Sequence, residues 1–429
     1  MRLNSFDFTY ADDDSYALAG EEWYVGPEDI IRTRNGNDNV GALGAYAGIN
    51  NEGIFYTDRG NDLIKGEGQF GIANFFKIQT GSGSDTITGI GSITGISNYA
   101  SGGDLRGKIR TGLDNDFITG VGGYIGLNNS YGGRILTGFG NDSISVAGGD
   151  FGLLNEGGIK TEEGDDTISG TGANAGIYNT LRIDVGADDD LIDGVSNEIA
   201  FYNVGKVFTG TGNDSVKGSG GKIGIHNGFE YEIDYFYSGS SFFMGEGNDL
   251  VQGNGSNIGI YNNGGGYGGD FGEISTDEGN DVITGIGGNF GIYNIGRIMS
   301  GEGDDLISGA GAIAGIYNDF VIDTGNGIDT VDAANGGFSG IGSIQLGGGD
   351  DTLKGFGSGF FYGGDGIDTL ILDEGVYTIS ANTIYNGEAT MSVEEFEHLS
   401  GANGSIISYG DGVLNIDAFG VAQFNPSVA

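Results

Sequence analysis

The chain has 429 residues, 92 of them glycine and only 2 proline, with 60 acidic side chains against 17 basic and a formal net charge of -43. Proline this scarce excludes a collagen helix, an apolar share of 37% is too high for simple disorder, and the charge would repel nucleic-acid phosphates. The absence of cysteine excludes a disulfide framework and any thiolate metal site, and no apolar run reaches the length of a membrane span.

Residues 1–31 hold the only tryptophan, Trp23, with several Phe and Tyr, and are read as an N-terminal cap. They lack both a basic start and an apolar run, so no cleaved secretory signal is expected. From residue 32 to 371 one loop recurs: Gly-x-Gly-Asn-Asp, a polar residue, then Ile, Val or Leu. It reads TGSGSDTI at Thr80–Ile87, TGFGNDSI at Thr137–Ile144, TGTGNDSV at Thr209–Val216 and GGDGIDTL at Gly363–Leu370. Alignment on the final aspartate gives Asp38, Asp62, Asp85, Asp116, Asp142, Asp166, Asp190, Asp214, Asp249, Asp281, Asp305, Asp329, Asp351 and Asp368, most often 24 residues apart. Such a period is the signature of a solenoid.

Within one repeat, Gly301–Thr324, three short apolar-alternating pieces are separated by Gly or Asn, and none has helical period. Three strands per repeat predict an all-β fold, a three-sided parallel β-helix of about 13 rungs with terminal caps. Three aliphatic columns should stack inward about 4.8 Å apart: Ile144 and its equivalents two residues after the Asp, Ile135 seven before it, and Ile177 two before an asparagine. That asparagine recurs as Asn51, Asn74, Asn98, Asn129, Asn155, Asn179, Asn203, Asn227, Asn262, Asn294 and Asn318, and should form an amide ladder.

Longer repeats add residues at one corner, as in SGGDLRG before Lys108, FEYEIDYFYSGSS before Phe242 and NGGGYGGDFG before Glu273. Insertions on one edge often mark a binding side. An outward column holds Tyr178, Tyr202, His226, Tyr261, Tyr293 and Tyr317, either a surface aromatic ladder or a sugar-stacking face. A second holds Lys77, Lys108, Arg134, Arg182, Lys206 and Arg297, explained by solubility and cross-strand pairing or by docking of an anionic glycan. An ice-binding face would need a regular Thr array, whereas Thr88, Thr119 and Thr284 alternate with Lys65, Lys217 and Gln252. Residues 372–429 are read as a C-terminal cap whose last stretch, VLNIDAFGVAQFNPSVA, is expected to be mobile.

Carboxylates one rung apart repel each neighbour by about 1 kcal/mol even in water. Loop glycines let backbone carbonyls turn toward them, making the all-oxygen environment that calcium prefers. Read without a metal, Asn-Asp makes an Asx-type turn. At these residues the chain resembles the RTX, or haemolysin-type, calcium-binding repeats, whose nonapeptide is Gly-Gly-x-Gly-x-Asp-x-apolar-x. Gly363–Leu370 matches every fixed position; Gly347–Leu353 and Gly325–Val331 match all but the first glycine. The resemblance implies Ca2+ held by the fourteen aspartates with backbone carbonyls. It also implies a secreted, extracellular protein exported by type I secretion machinery through the C-terminal segment. Arg34, Asp58, Glu162 and Asp277 replace the glycine four before the Asp, and Asp114 and Asp188 the one two before it, so those sites are expected to be altered. The family's β-roll has two nonapeptides per turn, and only the 17-residue step from Asp351 to Asp368 approaches it.

The reading is a secreted, calcium-binding, non-catalytic β-solenoid acting as a cell-surface or extracellular structural or adhesive module. The alternative is a polysaccharide-binding or polysaccharide-cleaving β-helix.

Overall fold

Glycine at this density breaks any helical period, and every described element is a strand. The computed structural model describes residues 2–3, 6–7, 14–16, 20–101, 105–229, 239–263 and 272–427. The corner insertions after Ser101, Phe229 and Asn263 fall largely outside these residues, as does much of the segment before Gly20. The chain divides into two compact units, Met1–Gly221 and Lys222–Ala429.

In the first unit each rung has three strands, exemplified by Ser143–Gly148, Phe151–Asn155 and Gly158–Glu163. Each pairs in parallel with its counterpart one rung on, Thr167–Gly172, Ala175–Asn179 and Arg182–Ala187, with Ile144 beside Ile168, Leu153 beside Ile177 and Ile159 beside Ile183. The three aliphatic columns run inward as expected, and these six side chains are at most 1% exposed. In two rungs the first and second strands merge, as Leu63–Asn74 and Thr86–Asn98. Parallel pairing continues into the expected N-terminal cap. Trp23 pairs with Ile49 and fills the aliphatic column of the second strands, and Ile31 pairs with Phe55.

Where the first and second strands approach each other most rungs carry glycine, although Val146 and Ala200 are accommodated at the positions of Gly170 and Gly176 in adjacent rungs. A Cβ on Gly170 would lie 2.2 Å from the Gly176 carbonyl oxygen, and one on Gly176 would lie 2.3 Å from the Val195 nitrogen. Alanine there would need the backbone to move, a cost of about 1–3 kcal/mol.

The second unit repeats the plan through Leu306–Ala310, Ala314–Asn318 and Val321–Asn326. The 17-residue step is a reduced rung of two strands, Thr352–Lys354 and Phe360–Tyr362. After Leu372 parallel pairing continues through Thr390–Glu394 on Phe360–Tyr362 and His398–Gly401 on Thr369–Leu372, and antiparallel strands are added to it: Gly375–Ser380 lies between Thr383–Tyr385 and Gly412–Ile416. In the last stretch, expected to be mobile, Ala422–Pro426 pairs antiparallel with Gly412–Ile416, which satisfies backbone groups of both strands.

Candidate metal centre

The inner corner of each turn carries a column of aspartates. All fourteen are at most 3% exposed, with the carboxylates facing inward. In the first unit the Asp62 N–H donates to Oδ1 of Asp85, Asp85 to Asp116, Asp116 to Asp142, Asp142 to Asp166, Asp166 to Asp190 and Asp190 to Asp214, at 2.7–2.8 Å. The Asp38 N–H opens the series by donating to Asp62 at 2.8 Å. In the second unit the same bond links Asp249 to Asp281, Asp281 to Asp305, Asp305 to Asp329, Asp329 to Asp351 and Asp351 to Asp368. The sequence did not single out Glu397, which accepts the Asp368 N–H at 2.8 Å. It is a further copy of the repeat with Glu for Asp: Leu399 two residues later pairs with Leu370, and Glu395 two before it keeps the left-handed φ of 59°.

Only Oδ1 is used in this way. Oδ2 of Asp62, Asp85, Asp116, Asp142, Asp166, Asp190, Asp281, Asp305, Asp329, Asp351 and Asp368 is buried with no hydrogen-bond partner. Five residues before most of these aspartates a buried Thr or Ser donates along the axis instead, for example Thr57 to the Thr80 carbonyl and Thr276 to the Ser300 carbonyl. Each hydroxyl also stands close enough to its own aspartate to favour the charged form, but one proton cannot serve both acceptors. Burial dominates. It raises Asp116 to about 8, Asp62, Asp166 and Asp329 to about 7, and Asp85, Asp281 and Asp351 to about 6, and neighbouring aspartates push in the same direction. Asp190, with a carboxylate on either side, reaches about 9.

The turn backbone is uniform even where glycine is replaced. Arg34, Asp58, Glu162 and Asp277 adopt φ of 64–87°, and Asp114 and Asp188 of 73° and 78°, the left-handed region held by glycine in the other copies. At these rungs, where altered sites are expected, the backbone keeps the turn of the other copies. Gly279 shows the constraint: a Cβ there would lie 1.7 Å from the Gly247 carbonyl oxygen. Asp114 and Asp188 accept the N–H of Gly83 and Gly164 from the preceding rung.

The residue before the aspartate forms a second, outer ladder with opposite polarity. Oδ1 of Asn37 accepts from Asn61 N–H, Asn115 from Asn141, Asn141 from Asp165, Asp189 from Asn213, and Asn280 from Asp304. Asn-Asp thus satisfies backbone donors on both sides of the turn, a structural role that the metal reading left out.

Among the described residues no three His, Cys, Asp or Glu side chains surround one point. A cation here would combine Oδ2 of successive aspartates with turn carbonyls. The buried, unpartnered carboxylate oxygens and the absence of nitrogen or sulfur donors fit a hard cation such as calcium.

Another corner holds the asparagines, and there the expected ladder runs from Asn51 to Asn203 in the first unit and from Asn227 to Asn318 in the second. Asn129 Nδ2 donates to Asn155 Oδ1 at 2.8 Å and to the Gly158 carbonyl at 3.2 Å, while its own Oδ1 accepts from Asn98. The tyrosines of the outward column are half-buried, and Tyr293 stacks on Tyr317 at 4.3 Å. His226 departs from the expected outward exposure: it is fully buried against Tyr261, and burial lowers its pKa to about 3.

No family model matches the chain, and no curated protein matches it. A solved structure, a hyperactive, Ca2+-dependent, β-helical antifreeze protein from an Antarctic bacterium, aligns over 94% of this chain and 95% of its own, with 18% identity and a TM-score of 0.45. At those values the likeness carries no inference about function.

Proposed function

We propose that the protein is a calcium-binding, non-catalytic β-solenoid whose turns bind Ca2+ through the inner aspartates, and that it serves as a secreted structural or adhesive module. The observation that carries the reading is the column of buried Oδ2 atoms without a donor. An unpaired buried carboxylate is strongly disfavoured, and it is relieved by protonation or by a cation. At neutral pH protonation would have to hold along the whole column, including Asp85, Asp281 and Asp351 at about 6. Calcium relieves every rung at once and takes oxygen donors in irregular geometry.

The resemblance of Gly363–Leu370 to the RTX nonapeptide supports the same ion. Low cytosolic calcium would leave the chain weakly folded and external calcium would complete it, which suits export through type I machinery followed by folding outside the cell. The test is far-UV circular dichroism of chelator-dialysed protein, titrated first with calcium and then, separately, with magnesium. A gain of β signal or of melting temperature with calcium alone supports the reading. An unchanged spectrum and melting curve would leave the aspartates as turn-forming groups.

A further inference from the structure

We propose that the outward face of the third strands from Ile54 to Lys160 docks a linear acidic polysaccharide, with its anionic groups on Lys77, Lys108, Arg110, Arg134 and Lys160. This inference stands independently of the calcium reading. The strands Ile54–Tyr56, Lys77–Ser82, Lys108–Leu113, Arg134–Phe139 and Gly158–Glu163 pair in parallel, placing Lys108 between Lys77 and Arg134 and Leu136 between Arg110 and Lys160. At the outward positions flanking the buried aliphatic residue, these five rungs carry five cations and no acid, in a chain with 60 acidic residues and 17 basic.

Several cations elsewhere are paired within the surface. Lys65 meets Glu67 at 2.7 Å, Arg182 meets Asp184 at 2.6 Å, and Lys354 meets Asp332 at 3.5 Å. On this face Lys160 reaches Glu162 at 3.8 Å and Lys77 lies over the Tyr56 ring, but Lys108, Arg110 and Arg134 make no ion pair among the described residues. Like charges opposite one another in adjacent strands are destabilising. The crowding is felt by Lys108, whose pKa is lowered first by burial and then by Arg110, Lys77 and Arg134. Solubility does not require such a stripe in a protein of net charge -43, whereas a bound polyanion would relieve the repulsion.

The spacing selects the polymer. Cations in one column recur once per rung, about 4.8 Å, the scale on which a chain of sugars presents one acidic group per residue. Duplex DNA carries a charge every ~1.7 Å and would press its excess phosphates against an otherwise acidic surface. Leu136 between Arg110 and Lys160, and Tyr56 beside Lys77 at the end of the stripe, offer apolar contact to the C–H faces of sugar rings.

The test uses the full chain in calcium-containing buffer and isothermal titration with soluble oligogalacturonate, a sulfated glycan, fully methyl-esterified oligogalacturonate and duplex DNA. Expected is salt-sensitive binding of one or both acidic glycans, absent for the neutral ester and at least tenfold weaker for DNA. Their ratio tells carboxylate from sulfate. The Lys108→Glu/Arg134→Glu double variant should lose about tenfold or more, and Lys354→Glu in the second unit should not. Circular dichroism confirms that each variant is folded. Equal DNA binding, no glycan binding, or full affinity in the folded double variant overturns the proposal. So does sedimentation showing that the stripe is covered by a second copy of the chain.

Discussion

Each unit carries two buried polar columns on nearly the same geometry, yet only one is self-sufficient. At the asparagine corner each amide both donates and accepts, so Asn98, Asn129 and Asn155 satisfy one another along the axis, and Nδ2 has a second partner in a backbone carbonyl. At the aspartate corner each carboxylate can only accept. In Asp166, as in most of the column, one oxygen takes a backbone N–H and the other is buried without a hydrogen-bond partner. Repeating a side chain at rung spacing therefore stabilises a solenoid when the group carries both donor and acceptor. When it carries only charge, the column needs a proton or an ion.

The largest test of this contrast is removal of calcium at pH 8. Each occupied site contributes about 2.7 kcal/mol at a calcium concentration one hundred times its Kd, so chelation should collapse the melting temperature. A calorimetric scan with and without chelator reads it, and identical scans would make the two corners equivalent.

Next in size is the pH response of the metal-free protein. The folded-state pKa values of Asp62, Asp116 and Asp166 lie well above the ordinary 3.8, so the fold binds protons more tightly than the unfolded chain. Their contribution is complete below pH 3.8 and is lost as pH rises through about 7 to 8. Metal-free protein should thus melt at a higher temperature at pH 4 than at pH 9, and calcium should flatten or reverse that slope. A melting temperature that rises with pH in chelator would contradict the buried-carboxylate account.

Asn129→Ala should cost about 2–4 kcal/mol by denaturant unfolding, because it strips partners from Asn98, Asn155 and the Gly158 carbonyl, and calcium should not change that cost. Asp166→Asn should change sign with conditions. In chelator at pH 8 it removes a buried charge while keeping an acceptor for the Asp142 N–H, a gain of about 1 kcal/mol. In calcium it deletes a ligand and lowers stability; a gain in both buffers would identify the aspartates as turn formers alone. The smallest effect is expected from Glu162→Gly, which relieves a left-handed φ of 87° but loosens the unfolded chain, for a net change within about 1 kcal/mol. A larger loss in calcium would make Glu162 part of its rung's cation site.

Much of this was legible in the sequence because a solenoid converts period into contact. Residues one repeat apart become neighbours, so Ile144, Ile168 and Ile192 had to stack, and the recurring asparagine had to face its own copies. The C-terminal strands and Glu397 escaped that logic. Glu397 lies 29 residues beyond Asp368 and carries Glu where the repeat has Asp, and the antiparallel strands Gly375–Ser380 and Thr383–Tyr385 inserted between them interrupt the period. The sequence alone thus determined the coil, its three aliphatic columns and the position of one carboxylate per rung, since all of these follow from repetition and side-chain alternation. Only the tertiary structure decided that the carboxylates face inward and that one oxygen of most lacks a partner. It also decided that the turns hold their left-handed backbone without glycine and that His226 is buried. Those outcomes depend on how a rung bends and on what the next rung donates to it, which no single repeat encodes.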